Sequence, residues 1–472
     1  MPVDWEQVAA ERGVEIERLQ VENTELKARL AKLEERMGQN PRNSSMPPSA
    51  EGLAKPPSMN RKARRATQRR PGKQPGQEGS YLVPVEHPDE VVVHAPASCT
   101  RCGADLAQGE VEGSESRQVF DLPAVRPYVT EHQMETRRCR CGCVTKAEAP
   151  REATAPACYG PSIRALTCYL AVYQHLPYDR MRRLFADVFG IGIAEGTLVA
   201  IVKEAGGALG LFTQVVADLL AAAPAVHFDE TGARTEGSLH WVHVASTSLY
   251  TLLVCDKRRG KAGMEALSVI GRMEGVAVHD GWASYKSYAV LHALCNAHHA
   301  RELQGVVDNL SQDWANELID LLVDMKEAVE TAKAAGRTAL APGDLHGLRV
   351  RYGTLIARGQ RENPCGGCTS YAGAKKKAHN LVLRLDAHRN EVLRFLTDFD
   401  VPWDNNQAER DIRMVKLQQK ISGSWRTLAG AQGFCAIRSY ISTMNKHGAD
   451  VIEGLRGVFT GTLWLPPTPS PA

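Results

Sequence analysis

The amino-acid sequence predicts an α/β core interrupted by a helical insertion and preceded by a coiled coil, a basic linker, a small cysteine-framed β module and a helical region. Three observations carry that prediction. Two apolar strand-like runs each close on an aspartate, Ala225-Val-His-Phe-Asp229 and Gly275-Val-Ala-Val-His-Asp280. Two close-set cysteine pairs bracket the segment before the helical region, and a heptad pattern occupies the N-terminal segment. A chain of 472 residues suggests about three domains at roughly 150 residues each, and 43% hydrophobic residues are enough to build large cores. The formal net charge is only +3, so attraction to an anionic partner must come from local clusters.

Residues 1–38 read as a coiled coil. Ile16, Asn23, Leu30 and Met37 alternate with Leu19, Leu26 and Leu33 at spacings of three and four, which makes the first set a positions and the second d positions. Such a seam is buried only against another helix, and a polar Asn at an a position favours a two-stranded parallel pairing. A homodimer or higher oligomer is therefore expected. Residues 39–80 form a linker rich in Pro, Gly, Ser and Gln, without periodicity and too polar to order itself. Within it Lys55, Arg61, Lys62, Arg64, Arg65, Arg69, Arg70 and Lys73 follow one another with no acidic residue between them. A run of this kind suits phosphate backbone, bound non-specifically and with strong salt dependence.

Residues 81–150 contain short β-like runs (Glu90–His94, Ser116–Leu122, Tyr128–Met134) framed by Cys99-Thr-Arg-Cys102-Gly103 and Cys139-Arg-Cys141-Gly142-Cys143. Four thiolates at paired close spacing complete a tetrahedral Zn²⁺ site, which would hold the small strands together. Cys99, Cys102, Cys139 and Cys141 are the expected ligands, because Gly142 follows Cys141 as Gly103 follows Cys102. Cys143 remains an alternative fourth ligand, with His132 or His87 as substitutes. Residues 151–223 read as helical. Leu176 to Phe189, Gly190-Ile-Gly-Ile and Ala194 to Val202 have helix-turn-helix spacing, which serves packing or DNA contact equally well.

The core is expected over 224–462, with a tail at 463–472. After the strand ending at Asp229 come strands over Leu239–Thr247 and Leu249–Cys255, a helix near Lys261–Ile270, and the strand closing on Asp280. Three antiparallel strands, a helix and a fourth strand, with aspartates at the tips of the first and fourth, is a ribonuclease-H-like order. Carboxylates at strand tips can converge on hard cations that take oxygen ligands. A third carboxylate is available in Val401-Pro-Trp-Asp404-Asn405-Asn406-Gln-Ala-Glu409-Arg410-Asp411-Ile-Arg413. Asp404 or Asn405 can cap a helix start there, and Glu409 falls in an early turn with Arg413 on its face four residues on. Lys416 and Lys420 extend the basic content, and Asp411 points elsewhere on the helix.

These residues resemble the insertion-sequence-66 family of transposases, DDE-type DNA recombinases of bacterial mobile elements. The likeness rests on Asn43-Ser-Ser-Met-Pro-Pro-Ser, the paired knuckles, His227-Phe-Asp229-Glu-Thr-Gly, Val278-His-Asp280-Gly-Trp, Leu294-Cys-Asn-Ala-His298 and Asp404-Asn-Asn-Gln-Ala-Glu409-Arg. It extends over nearly the whole length. The crowded second knuckle and the extra Cys365-Gly-Gly-Cys368 depart from the family pattern. The resemblance implies that Asp229, Asp280 and Glu409 are a catalytic triad binding two Mg²⁺ (or Mn²⁺), with a helical insertion over about 311–400 separating the second Asp from the Glu. Cys295-Asn-Ala-His298 has the C-x-x-H form seen after the second Asp in many DDE transposases, and it is taken as support for the core. Arg410, Arg413, Lys416 and Lys420, with Arg61, Lys62, Arg64, Arg65, Arg69 and Arg70, would contact double-stranded DNA of element ends and target. Small accessory proteins, which some relatives' elements encode, are possible partners.

The function implied is metal-dependent DNA cleavage and strand transfer. The alternatives are a zinc-containing DNA-binding regulator without catalysis and a metal nuclease that cleaves without joining. No GxxxxGK[ST] phosphate loop is present, which disfavours ATP use. The longest apolar stretch, around Val215 to Val226, is broken by Asp218 and Pro224, so a membrane span is not expected. The first residues lack the basic-then-apolar order of a signal peptide, and a bacterial cytoplasmic, nucleoid-associated protein is expected.

Overall fold

The structure is a computed structural model and describes residues 12–13, 16–27, 29–30, 82–150, 152–364 and 373–467. Arg61, Lys62, Arg64, Arg65, Arg69, Arg70, the Asn43 box and Cys365/Cys368 lie outside the described residues. The chain divides into two compact units, one of residues 53–128 and 188–190, the other of 1–52, 129–187 and 191–472. Residues 16–27 are helical, and Ile16, Leu19, Leu26 and Leu30 remain about half exposed along the predicted seam.

The smaller unit departs from expectation. Glu90–His94 and Ser116–Leu122 contain no strand, and neither does Tyr128–Met134, which runs from the smaller unit into the larger. Val91, Val92, Val93, Val119 and Leu122 are exposed. Their β propensity has no apolar layer to pack on, and such segments need a core or a metal to form a stable sheet. Local order comes instead from polar pairing. The Gln118 side chain accepts from Val85 N (2.8 Å) and donates to Val85 O (2.7 Å).

The larger unit is built on a five-stranded sheet. Its strands are β3 (Ala225–Thr235), β4 (Ser238–Ser246), β5 (Thr251–Asp256), β6 (Val276–His279) and β7 (Leu291–Leu294), in the order β5-β4-β3-β6-β7. A separate hairpin, β1 (Thr136–Arg138) with β2 (Val144–Lys146), carries the second cysteine knuckle. β3, β4 and β5 are antiparallel, whereas β6 and β7 run parallel to β3. Val242, Val244 and Ala245 of β4 and Ala277 and Val278 of β6 are almost fully buried, as strands covered on both faces require. β7 was not foreseen, because Leu291-His-Ala-Leu is too short to show a period.

β3 also runs further than expected. Asp229 is not at its tip but inside an eleven-residue strand, because β3 continues along β4 to Thr235. The parallel ladder with β6 stops at His227, so beyond that residue one edge of β3 is open toward Asp280. The helix expected over Lys261–Ile270 is confined to Lys261–Glu265.

Helices α1 (Pro161–Cys168), α2 (Tyr178–Phe189), α3 (Glu195–Ala208) and α4 (Gly210–Ala221) precede the sheet. α5 (Asn296–Leu310), α6 (Asp313–Ala334), α7 (Pro342–Glu362) and α8 (Ala374–Ala387) follow it, and α9 (Asn406–Ser422), α10 (Leu428–Lys446) and α11 (Val451–Thr460) close the chain. Leu198, Ile201 and Ala205 of α3 are buried, and α3 crosses α10 at glycine. A Cβ on Gly206 would stand 2.6 Å from Gly433 Cα, so only glycine permits that approach. The second helix of the helix-turn-helix-like pair is thus committed to packing along this face. Trp314, Leu318, Leu322, Tyr352, Ile356, Leu381 and Leu385 join Val276, Val278, Ala293 and Leu294 in one apolar cluster, which ties α6, α7 and α8 to the β6–β7 side of the sheet. On the opposite side, the outward N–H groups of Thr251 and Leu253 donate to the hydroxyls of Thr443 (3.1 Å) and Ser439 (2.8 Å) on α10.

Candidate metal and nucleic-acid site

Register sets the two aspartates together. The β3–β6 ladder pairs His227 with Val278, and the same offset continued two residues brings Asp229 level with Asp280. Each carboxylate is fixed by a nearby backbone amide. Asp229 Oδ1 accepts from Glu230 N (2.9 Å), and Asp280 Oδ1 accepts from Trp282 N (2.9 Å). The Asp229 carboxyl is pushed well above the usual carboxylate range, first by burial and then by the negative charges of Glu230, Asp280 and Glu409. Carboxylates crowded in this way repel each other unless a cation is added.

Glu409 reaches the site on α9, and Asn405 fixes that helix to the sheet. Asn405 is 2% exposed. Its Nδ2 donates to Phe228 O (2.7 Å), its Oδ1 accepts from His227 Nδ1 (3.0 Å), and its backbone N–H donates to Cys295 Sγ (3.2 Å). Capping falls to Asp404, whose Oδ1 accepts from Asn406 N (3.0 Å). One short segment therefore joins β3, the start of α5 and the helix bearing Glu409. Lower on α9, Lys416 Nζ donates to Gly232 O. Lys416 is turned to the sheet, whereas Arg410, Arg413 and Lys420 are exposed. Asp411 is separate from the cluster, held by Lys446 Nζ (2.8 Å) and Thr251 Oγ1 (3.0 Å).

Glu230 escaped the sequence reading because its neighbours are distant in the chain. Its side chain is 3% exposed. Arg259 Nε and Nη2 both donate to its Oε1 (3.2 and 2.8 Å), and Tyr285 OH donates to Oε2 (2.9 Å). The Arg259 guanidinium lies over the rings of Trp241 (4.7 Å) and Trp282 (4.3 Å). Cation–π contact with both rings helps hold it against Glu230. Tyr285 stacks on His279, whose Nδ1 accepts from Gly281 N (3.0 Å), so the turn after Asp280 is braced from below.

The C-x-x-H residues also meet Glu409. Ligand atoms of Cys295, His298 and Glu409 lie within 4.8 Å of one another. Arg301, one turn on from His298, donates from Nη2 to His298 Nδ1 (2.8 Å) and approaches Glu409 Oε1 at 3.4 Å. Asp229, Asp280 and Glu409 offer only oxygen donors, which fits hard divalent cations, although among the described residues their oxygens do not all lie within 4.8 Å of one another.

The cysteine knuckles have turns suited to thiolate. Gly103 N donates to Cys99 O (2.8 Å), Gly142 N donates to Cys139 O (2.9 Å), and both glycines have positive φ (+73° and +92°). Backbone hydrogen bonding from Cys102 and Arg101 lowers the Cys99 pKa, and that from Cys143 lowers the Cys141 pKa. Low thiol pKa values suit metal ligation. Among the described residues no single helix is long and apolar enough to cross a membrane.

Known family models match three stretches of the chain. Residues 156–433 match the transposase IS66 family, and residues 96–142 match the zinc-finger binding domain of transposase IS66. Residues 2–82 match a family of unknown function. No curated protein matches the chain. The zinc-finger match supports a structural Zn²⁺. Because the first match extends over more than half of the sequence, the chain belongs to the IS66 family of transposases.

Proposed function

We propose that the chain binds the ends of an insertion sequence and catalyses metal-dependent DNA cleavage and strand transfer on a ribonuclease-H-like core. The observation that carries this reading is the β3–β6 register, which brings Asp229 level with Asp280, with Glu409 near enough for its charge to act on Asp229. The order of three antiparallel strands followed by two parallel ones supports the core assignment.

Asp229, Asp280 and Glu409 would hold two Mg²⁺ or Mn²⁺ through carboxylate oxygens. When bound, these ions supply activation of water or a 3′-hydroxyl and stabilisation of the leaving oxygen at a phosphodiester. Asn405 keeps α9 in register with β3, so Glu409 is presented without a search. Arg410, Arg413 and Lys420 offer exposed positive charge on that helix for phosphates, and the basic linker Arg61, Lys62, Arg64, Arg65, Arg69 and Arg70 adds a non-specific, salt-sensitive grip. Lys416 serves as a tether between α9 and β3. Cys99, Cys102, Cys139 and Cys141 would ligate the structural zinc, and the zinc-finger match includes all four while ending before Cys143. The half-exposed heptad seam supports self-association, which places two element ends in one assembly.

The test uses the purified chain with labelled terminal-repeat duplex and Mg²⁺ or Mn²⁺. Cleaved and joined products are expected, and Asp280→Ala should abolish both while leaving DNA binding intact. Binding with no chemistry under either ion would overturn the catalytic reading in favour of a DNA-binding regulator. Cleavage without joining would leave a nuclease.

A further inference from the structure

The contact between Arg301, His298 and Glu409 is a poor salt bridge. An arginine that exists to pair a carboxylate uses two N–H groups at roughly 2.7–2.9 Å. Here a single Nη2 serves two acceptors, His298 Nδ1 at 2.8 Å and Glu409 Oε1 at 3.4 Å, the second at the weak end of hydrogen bonding. Arg301 Nε is buried and has no hydrogen-bond partner among the described residues. Because Arg301 donates to Nδ1, that atom carries a lone pair, and the two acceptors face each other across 3.7 Å. Two lone-pair donors held this close need a cation between them.

Their separation suits a different cation better. Two ligands each about 2.0–2.2 Å from one divalent ion stand roughly 3–4 Å apart at ordinary bond angles. The 3.7 Å between His298 Nδ1 and Glu409 Oε1 falls in that range. His298 also lies within the electrostatic reach of Asp280, so the nitrogen faces the same cluster as the two aspartates. Cys295 is the third member of the group, but its buried sulfur already accepts the Asn405 backbone N–H.

We propose that His298 Nδ1 is a nitrogen ligand sharing a divalent ion with Glu409, and that Arg301 is a resident cation occupying this half of the site until the ion displaces it. This rests on the reading of Glu409 given above and adds the class of ion. An imidazole donor among carboxylates favours a borderline transition metal such as Mn²⁺ over Mg²⁺. Arg301 then serves as a positioning residue that keeps His298 and Glu409 turned toward each other and competes with the incoming metal.

The experiment is equilibrium binding of Mn²⁺ to the full chain, read from the free-ion electron paramagnetic resonance signal, with Mg²⁺ affinity read by competition. Arg301→Gln should tighten Mn²⁺ binding about tenfold, the scale on which residues beside a metal tune its affinity. His298→Ala should weaken Mn²⁺ by about tenfold or more and Mg²⁺ much less. Arg301→Lys, which keeps the charge, should bind Mn²⁺ like the native chain and serves as the folded control. Unchanged or weaker Mn²⁺ binding in Arg301→Gln, or equal losses of both ions in His298→Ala, overturns the proposal while Glu409→Gln still weakens both ions. If Glu409→Gln and Asp280→Asn leave metal affinity untouched, the underlying assignment of the carboxylates fails as well.

Discussion

Replacing Asn405 by alanine tests whether one buried amide holds the third carboxylate against the sheet. The substitution removes the 2.7 Å bond to Phe228 O and the 3.0 Å bond from His227 Nδ1, leaving a carbonyl and an imidazole N–H without partners in a site that is 2% open to solvent. Each orphaned group costs about 1–3 kcal/mol, and the two together roughly 2–4 kcal/mol after relaxation. The bond from Asn405 N to Cys295 Sγ is made by the backbone and survives. The loss is therefore local, concentrated where α9 meets β3. Hydrogen exchange read by mass spectrometry should show amides of Asn406 to Arg410 opening roughly 30- to 1,000-fold more often, the equivalent of that free energy. Peptides from α7 should exchange at the native rate. If the first turn of α9 exchanges within twofold of the native chain, Asn405 is not the clamp and the geometry of Glu409 has another origin.

Three further outcomes follow from features described above. Lys446→Met strands Asp411, whose ion pair has only 13–14% of either side chain exposed, and should cost about 3–5 kcal/mol, with much of the loss recovered in Lys446→Met/Asp411→Asn; urea midpoints of the two variants provide the comparison. Burial holds His175 and His243 below the ordinary histidine pKa, so the unfolded chain takes protons that the folded chain refuses. Stability should thus be intact above about pH 6.5 and fall at lower pH, by up to about 1.4 kcal/mol per histidine per pH unit; urea midpoints that hold steady from pH 7.5 to 5.5 would contradict this. One zinc per chain should be measured by elemental mass spectrometry, lost in Cys102→Ser and Cys139→Ser but retained in Cys143→Ser, and retention in Cys141→Ser with loss in Cys143→Ser would exchange the two assignments.

What the sequence disclosed depended on how local each signal is. Asp229 and Asp280 were legible because each follows an apolar run, and a fixed offset along a parallel ladder then aligns them. Glu409 was legible from its place in an early helical turn. Asn405 looked like a helix cap, since Asn before a helix usually is one, yet its amide serves Phe228 and His227, which no local rule identifies. Glu230 beside Asp229 drew no reading, because the Arg259 and Tyr285 that enclose it are distant in the chain. Arg301 lies three residues after His298, a helical spacing that signals a shared face but not the acceptor it meets there. The failure in the cysteine-framed module has another cause. Its valine-rich runs carry strand propensity, but propensity forms a sheet only where a second layer or a bound metal makes burial worthwhile.

The hydroxyls of Ser439 and Thr443 have a consequence for how copies of this chain meet. A sheet normally ends in a row of amides that can recruit any extended segment, including one from an identical neighbour. Here that border is stoppered by α10 from within the same chain, so strand-to-strand growth has no starting point along Thr251–Leu253. Along that border, copies of this chain can meet only through side chains, where register and partner can be chosen.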